Sequence, residues 1–233
     1  MAVRCVIKGV HLIPMGTANA FLIAANDGLT LIDAGFPGEA AAVFGALREL
    51  GRSVDQLKHL IFTHGHPDHI GSAAAIVRQT GARTYMHPFD IPMAENGGPF
   101  RPLQGAPGLL GPVLCRLFYH PNERVEPIVI DQTLTDGETL SIAGGIEVIH
   151  VPGHCAGQVA LLWHPGRMLF AGNAASNLMG LDDPIGFEDL QAGRASQRRL
   201  ASLSFDAAGF GHGKAIARDA STRFRHKWGE GKM

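Results

Sequence analysis

The chain has 233 residues, a formal net charge of −1 and 18% charged residues, so it lacks the basic excess that a general nucleic-acid binder carries. Hydrophobic residues make up 45%, enough for a sizeable core in one large domain or two small ones. Three scattered cysteines (Cys5, Cys115 and Cys155) exclude a disulfide framework and a zinc-ribbon pattern, whereas twelve histidines direct attention to metals.

No charged n-region followed by an apolar run marks the first residues as a signal peptide. No segment approaches the roughly 18 unbroken apolar residues of a membrane span. A cytoplasmic, reduced setting is the resulting expectation.

In chain order, Val3–Ile13 reads as a strand, broken by Gly9 and stopped by Pro14. Ala20–Ala25 and Leu29–Ile32 form a hairpin about the turn Asn26-Asp27-Gly28. Over Glu39–Leu50, the residues Val43, Phe44, Leu47 and Leu50 recur at helical spacing, and Gly51 closes the helix. His59–Phe62 is a short strand, Ile70–Gln79 a helix and Arg83–His87 another strand, an alternation that argues for layered α/β architecture.

The proline- and glycine-rich stretch Pro88–Arg124 reads as an irregular insertion or lid. Within it, Leu109–Tyr119 has the pattern of one short amphipathic helix. Packing on the core is expected, with a substrate lid, a homodimer contact or a membrane-surface helix as alternatives. Ile128–Ile130, Glu138–Ile142 and Ile146–Val151 read as strands, and Val159–Trp163 and Met168–Ala171 as a hairpin. Glu188–Leu203 is helical, Ala208–Phe210 a strand, and Ala215–Lys227 a basic helix with a solvated face. No linker divides the chain, so one domain over residues 1–233 is expected.

The stretch Thr63–Ile70, THGHPDHI, organises the rest. It places His64, His66, Asp68 and His69 within six residues, all able to ligate a metal. Residues two apart lie on opposite sides of a helix, so His64 and His66 could not share a helical face. Pro67 pushes His66 out of the α region, and a loop curling round its ligands is expected. His154, Asn173 and His212 also stand at strand ends beside glycines, where side chains can converge. Cys155 adjoins His154; on extended chain it points the other way and reads as a small buried residue.

THGHPDHIG, VPGHCAGQVAL, LFAGNAAS and GFGHGK together resemble the metallo-β-lactamase superfamily, in the branch of glyoxalase II and the lactonases. The likeness runs from about Asp33 to about Lys214. It implies an αβ/βα four-layer sandwich: two mixed sheets face to face, helices outside, and metals in a cleft at one edge. By the same resemblance His64, His66 and His154 hold a first ion, and Asp68, His69 and His212 a second. Asp33 supports the ligand loop from behind. Zinc suits such a site first, with manganese, iron, cobalt or nickel as alternatives.

The family's bridging aspartate falls at Asn173 here. An amide offers one neutral carbonyl oxygen where a carboxylate offers two anionic ones, so repulsion between two ions is less relieved. A weakly held or absent second ion is the expectation, with Asn173 a weak ligand or none. Asp182 and Asp183 follow in sequence, but nothing there places them at the site.

The resemblance implies a metal-dependent hydrolase of a small-molecule ester, thioester or lactone, in which a metal-bound hydroxide attacks the carbonyl and Asp68 orients it and accepts its proton. Tyr85 and Tyr119 read as packing residues rather than oxyanion donors. One alternative is a mononuclear iron sulfur dioxygenase, weakened because Asn173 removes a carboxylate from its triad. The other is a metal-binding protein of the same fold with weak or lost turnover.

Overall fold

The computed structural model describes residues 2–229; residues 1 and 230–233, which the one-domain expectation also takes in, lie outside the described residues. The chain opens with four antiparallel strands, β1 (Arg4–Ile7), β2 (Val10–Met15), β3 (Ala18–Ala25) and β4 (Gly28–Ile32). Pro14 does not end β2, which runs on to Met15. The pairing of β1 with β2 begins only at Arg4 opposite Leu12, so Pro14 owes no ladder bond on that side. Helix α1 (Ala40–Glu49) then leads to β5 (Leu57–Ile61), parallel to β4. Two short helices, α2 (Pro67–Ile70) and α3 (Ala73–Thr80), precede β6 (Arg83–Met86), parallel to β5.

The irregular stretch holds α4 (Ile91–Asn96), β7 (Gln104–Gly105) and α5 (Gly111–Phe118). After it, β8 (Gln132–Thr133) completes the first, seven-stranded sheet beside β6. The strand expected at Ile128–Ile130 is absent. Thr84 instead gives its amide to Asp131 Oδ2 at 2.8 Å and its hydroxyl to Val129 O at 2.9 Å, so side chains replace the ladder there.

The second sheet contains β9 (Thr139–Leu140), β10 (Ile146–His150), β11 (Val159–Trp163) and β12 (Met168–Phe170), antiparallel in turn. A short β13 (Gly186–Phe187) pairs with β7, outside both large sheets. Helix α6 (Leu190–Ser202) connects to β14 (Ala207–Gly209), which is parallel to β12 and closes the five-stranded sheet. The last helix, α7 (Ala220–Trp228), starts later than its basic pattern suggests, because Ile216 is bridged to Ala208 beside the sheet.

Strand alternation creates the layers. In β3, Phe21 and Ile23 point between the sheets, where they meet Val148, Leu161 and Phe170, while Ala20 and Leu22 point outward to Val43 and Leu47 of α1 and Ile76 of α3. On the far side, Ile149, Ala160 and Leu169 pack against Leu200 of α6 and Phe224 and Trp228 of α7. The result is helix, sheet, sheet, helix: the αβ/βα four-layer sandwich that the sequence resemblance implies.

Helix α5 overturns the expectation of core packing for Leu109–Tyr119. Cys115 is its one buried residue, and Leu109, Leu110, Val113, Leu117 and Phe118 are all exposed. Eight helical residues on an irregular segment leave that apolar side away from either sheet.

Candidate metal centre

The loops leaving β4, β5, β10, β12 and β14 converge at one edge of the sandwich. β5 delivers Thr63, His64 and His66 on extended chain. His66 is extended (φ −76°, ψ 155°), as a residue before proline must be, and Pro67 then starts helix α2 at its first position. Asp68 and His69 therefore lie on a helical turn rather than on the loop expected for the whole stretch. Proline's fixed φ suits a helix start as well as it forbids helix before it.

The structure brings the singled-out side chains together in two groups. Ligand-type atoms of His64, His66 and His154 all lie within 4.8 Å of one another, as do those of Asp68, His69 and His212. The rings of His64 and His69, one from each group, are 4.0 Å apart between centroids. Asn173 joins them, with Nδ2 3.3 Å from His154 Nε2.

Four imidazoles are anchored through Nδ1. His69 Nδ1 lies 2.8 Å from Asp33 Oδ2, His154 Nδ1 2.8 Å from Gly186 O and His212 Nδ1 3.0 Å from Thr17 O. His64 Nδ1 is 3.1 Å from Thr63 Oγ1. Such bonds fix ring orientation and tautomer, leaving Nε2 as the atom available to a metal. His66 is turned the other way, its Nδ1 3.0 Å from His154 Nε2.

Asp33 ends β4 in a left-handed conformation (φ 62°) and also accepts the Thr63 amide and hydroxyl, each at 2.8 Å. Three bonds from one carboxylate thus tie the end of β5 to α2.

Electrostatics follow from this crowding. Burial, then the neighbouring imidazoles, push the His64 pKa well below its ordinary value. His66 is lowered well below too, by burial first and His154 next. His154 is pushed down to about 4, chiefly by burial. For His69, burial also lowers, but Asp33 and Asp68 outweigh it and the pKa is raised. Burial raises the Asp68 pKa, yet His69 and His212 overcome that and hold the carboxylate well below the usual range.

The arrangement fits metal ions. His64 Nε2, His69 Nε2 and Asn173 Oδ1 are buried without a hydrogen-bond partner in the protein. Buried polar atoms are ordinarily satisfied, so such acceptors gathered among two adjoining groups of ligand-type side chains ask for cations. Gly211 permits the closeness: a Cβ there would stand 2.1 Å from Asn173 Oδ1 and 2.6 Å from His69 Cε1. Asp182 and Asp183 are engaged elsewhere, with Lys227 and Arg194.

Several neighbours carry no sequence signal that singles them out. Asp90, fully buried after β6, accepts the Gly65 amide at 2.9 Å and the Gly157 amide at 2.8 Å. Cys155 is buried, but the turn holding it is not extended, so it does not face away from the site. Its Sγ lies 3.0 Å from Asp90 Oδ2, and it groups with His66 and Glu188 within 4.8 Å. Burial, then Asp90, raises its thiol pKa well above the ordinary value, so it stays protonated. Arg101 gathers Asp90, Glu188 and Cys155 around one guanidinium. Tyr119 packs against the core beneath the first sheet, as expected, and has a second role. It lines the cleft 5.1 Å from the His66 ring and donates its hydroxyl to Arg101 O. Tyr85 is buried, its hydroxyl 2.9 Å from His59 Nδ1.

The family model of the metallo-beta-lactamase superfamily matches residues 13–215, and the chain belongs to that superfamily. Its relatives include a probable metallo-hydrolase of Bacillus subtilis, 31% identical over 173 residues that cover 72% of this chain and 64% of the relative. The chain therefore matches less than two thirds of that relative's length. A hydroxyacylglutathione hydrolase of Pseudomonas aeruginosa is 31% identical over 121 residues, 51% of this chain and 33% of that enzyme. Among solved structures, a metallo-beta-lactamase family protein of Thermus thermophilus superposes with a TM-score of 0.71 at 25% identity, covering 96% of this chain and 79% of its own. No helix among the described residues is long and apolar enough to cross a membrane.

Proposed function

We propose that the protein is a metal-dependent hydrolase of small-molecule esters, thioesters or lactones, with zinc as the first choice of metal. The observation that carries this reading is the convergence of five imidazoles and one carboxylate, with the Nε2 atoms of His64, His66 and His69 left without a hydrogen-bond partner in the protein. His64, His66 and His154 hold the principal ion; Asp68, His69 and His212 hold a second, more weakly, because Asn173 supplies no bridging charge. A divalent ion in such a place makes bound water acidic near neutral pH and polarises a carbonyl.

The chain's own residues do the rest. Asp68 lines the cleft as an ionised acceptor, held so by His69 and His212. It orients a water through that carboxylate and passes on the proton it takes, since imidazoles this close disfavour its keeping one. Asp33 keeps His69 aligned, and Gly186 O keeps His154 aligned. Apolar walls from Phe36, Leu103 and Ile185 restrict bulk water.

The test is a panel of ester, thioester and lactone substrates offered to metal-stripped protein and to the same protein restored with zinc, manganese or iron. Hydrolysis that returns with metal and falls at least about a hundredfold in Asp68→Ala supports the reading. Turnover indifferent to metal, or intact in Asp68→Ala, overturns it. Oxygen consumption with a persulfide in place of hydrolysis would favour the dioxygenase alternative.

A further inference from the structure

The cavity beside the imidazoles measures about 410 Å³ and runs from His66, Asp68 and His154 outward to Leu103, Leu117, Phe118 and Leu178. That volume lies within the range of small-molecule sites. Its outer wall is unusual. Leu117, Phe118 and Leu178 are 61%, 66% and 56% exposed, apolar surface with little protein covering it. Among the described residues no lysine or arginine lines the cavity; its carboxylates are Asp68 and Glu123. Arg101, whose guanidinium reaches Cys155 next to His154, is already taken by Asp90, Glu188 and Phe89 O.

Resting on the hydrolase reading, we propose that the substrate is an uncharged acyl compound whose apolar tail lies along Leu103, Leu117, Phe118 and Leu178, with its carbonyl at the imidazoles. A carboxylate at the tail end of the substrate finds no lysine or arginine to pair with and meets Glu123 instead, so acyl chains that end in a negative charge are selected against. An apolar tail covers the exposed leucines and Phe118 and gains with every methylene buried.

The experiment measures kcat/KM of the zinc-restored full chain for p-nitrophenyl esters from acetate to octanoate. It is expected to rise about threefold per methylene over the middle of the series. An ester of equal length ending in a carboxylate is expected to be at least about tenfold poorer than its neutral counterpart. In the variant carrying Leu117→Ser and Phe118→Ser the octanoate-to-acetate ratio is expected to fall about tenfold. In parallel, calorimetry of octanamide and butanamide on metal-free protein reads the tail alone, and octanamide is expected to bind more tightly. Octanamide preferred with no ester hydrolysed keeps the tail assignment and sinks the hydrolase reading. Esters hydrolysed with a flat chain-length profile, and amides bound alike, keep the hydrolase and sink the tail assignment.

Discussion

Asp90 and Cys155 are bonded to each other beneath the histidine cluster, Sγ to Oδ2 at 3.0 Å. The same carboxylate accepts the amides of Gly65, between two of the clustered histidines, and of Gly157, just past a third. It also pairs with Arg101 of the irregular stretch. One buried carboxylate thus fastens the His64–His66 turn, the His154 turn and the segment that walls the cleft. Glycine is required at 157, where a Cβ would fall 2.4 Å from the Asp90 carboxyl.

Asp90→Ala leaves two buried amides and the Cys155 thiol without their acceptor, and takes from the Arg101 guanidinium one of its two carboxylates. Destabilisation of about 3–5 kcal/mol is expected, measured by chemical denaturation. Asp90→Asn keeps one carbonyl acceptor and is expected to lose less stability.

Gly211→Ala tests the close approach of Asn173 and His69. Its Cβ must displace both, so overpacking of about 1–3 kcal/mol is expected. Zinc affinity, read by competition with a chromophoric chelator, is expected to fall at least about tenfold beyond what Ala at Gly45 of helix α1 produces, where a Cβ meets nothing nearer than 3.9 Å.

Acid sensitivity follows from the buried neutral histidines. His64, His66 and His154 have folded pKa values below their unfolded ones, so the unfolded chain binds more protons below about pH 6.5 and stability falls as pH falls. His154, at about 4 when folded, alone accounts for on the order of 2 kcal/mol between pH 7.5 and pH 5. His69 is shifted the other way and opposes this in part. Denaturation of metal-stripped protein at the two pH values is expected to show lower stability at pH 5.

Much of this architecture is legible in the sequence because it rests on short-range rules. The near-continuous apolar runs of Ala20–Ala25 and Val159–Trp163 give strands buried on both faces, and Asn26-Asp27-Gly28 gives the turn that follows the first of them. The histidine motif, followed by His154, Asn173 and His212 at strand ends, names side chains that do meet in space. What the chain order hides is what depends on distant partners. Asp90 sits in a segment with no motif, and only the folded chain shows that it faces Gly65 and Gly157. The apolar pattern of Gly111–Phe118 is real, but periodicity reports which side is apolar and not what that side faces. Cys155 is buried and Tyr119 packs on the core, as expected, but that they also face the site is hidden, since irregular backbone turns side chains in directions that extended or helical spacing does not describe.

Asn173→Asp replaces a neutral amide with a carboxylate, two anionic oxygens beside both groups of ligands. Affinity for a second zinc ion is expected to rise at least about tenfold, with the first little changed, in a two-site titration.

The central claim is that these six side chains hold metal, one ion more firmly than the other. Calorimetric titration of zinc into the metal-stripped full chain tests it most directly. One tight equivalent, followed by a second at least about tenfold weaker, is the predicted isotherm. An isotherm with no saturable zinc binding, or with two equivalents of equal and tight affinity, would contradict it.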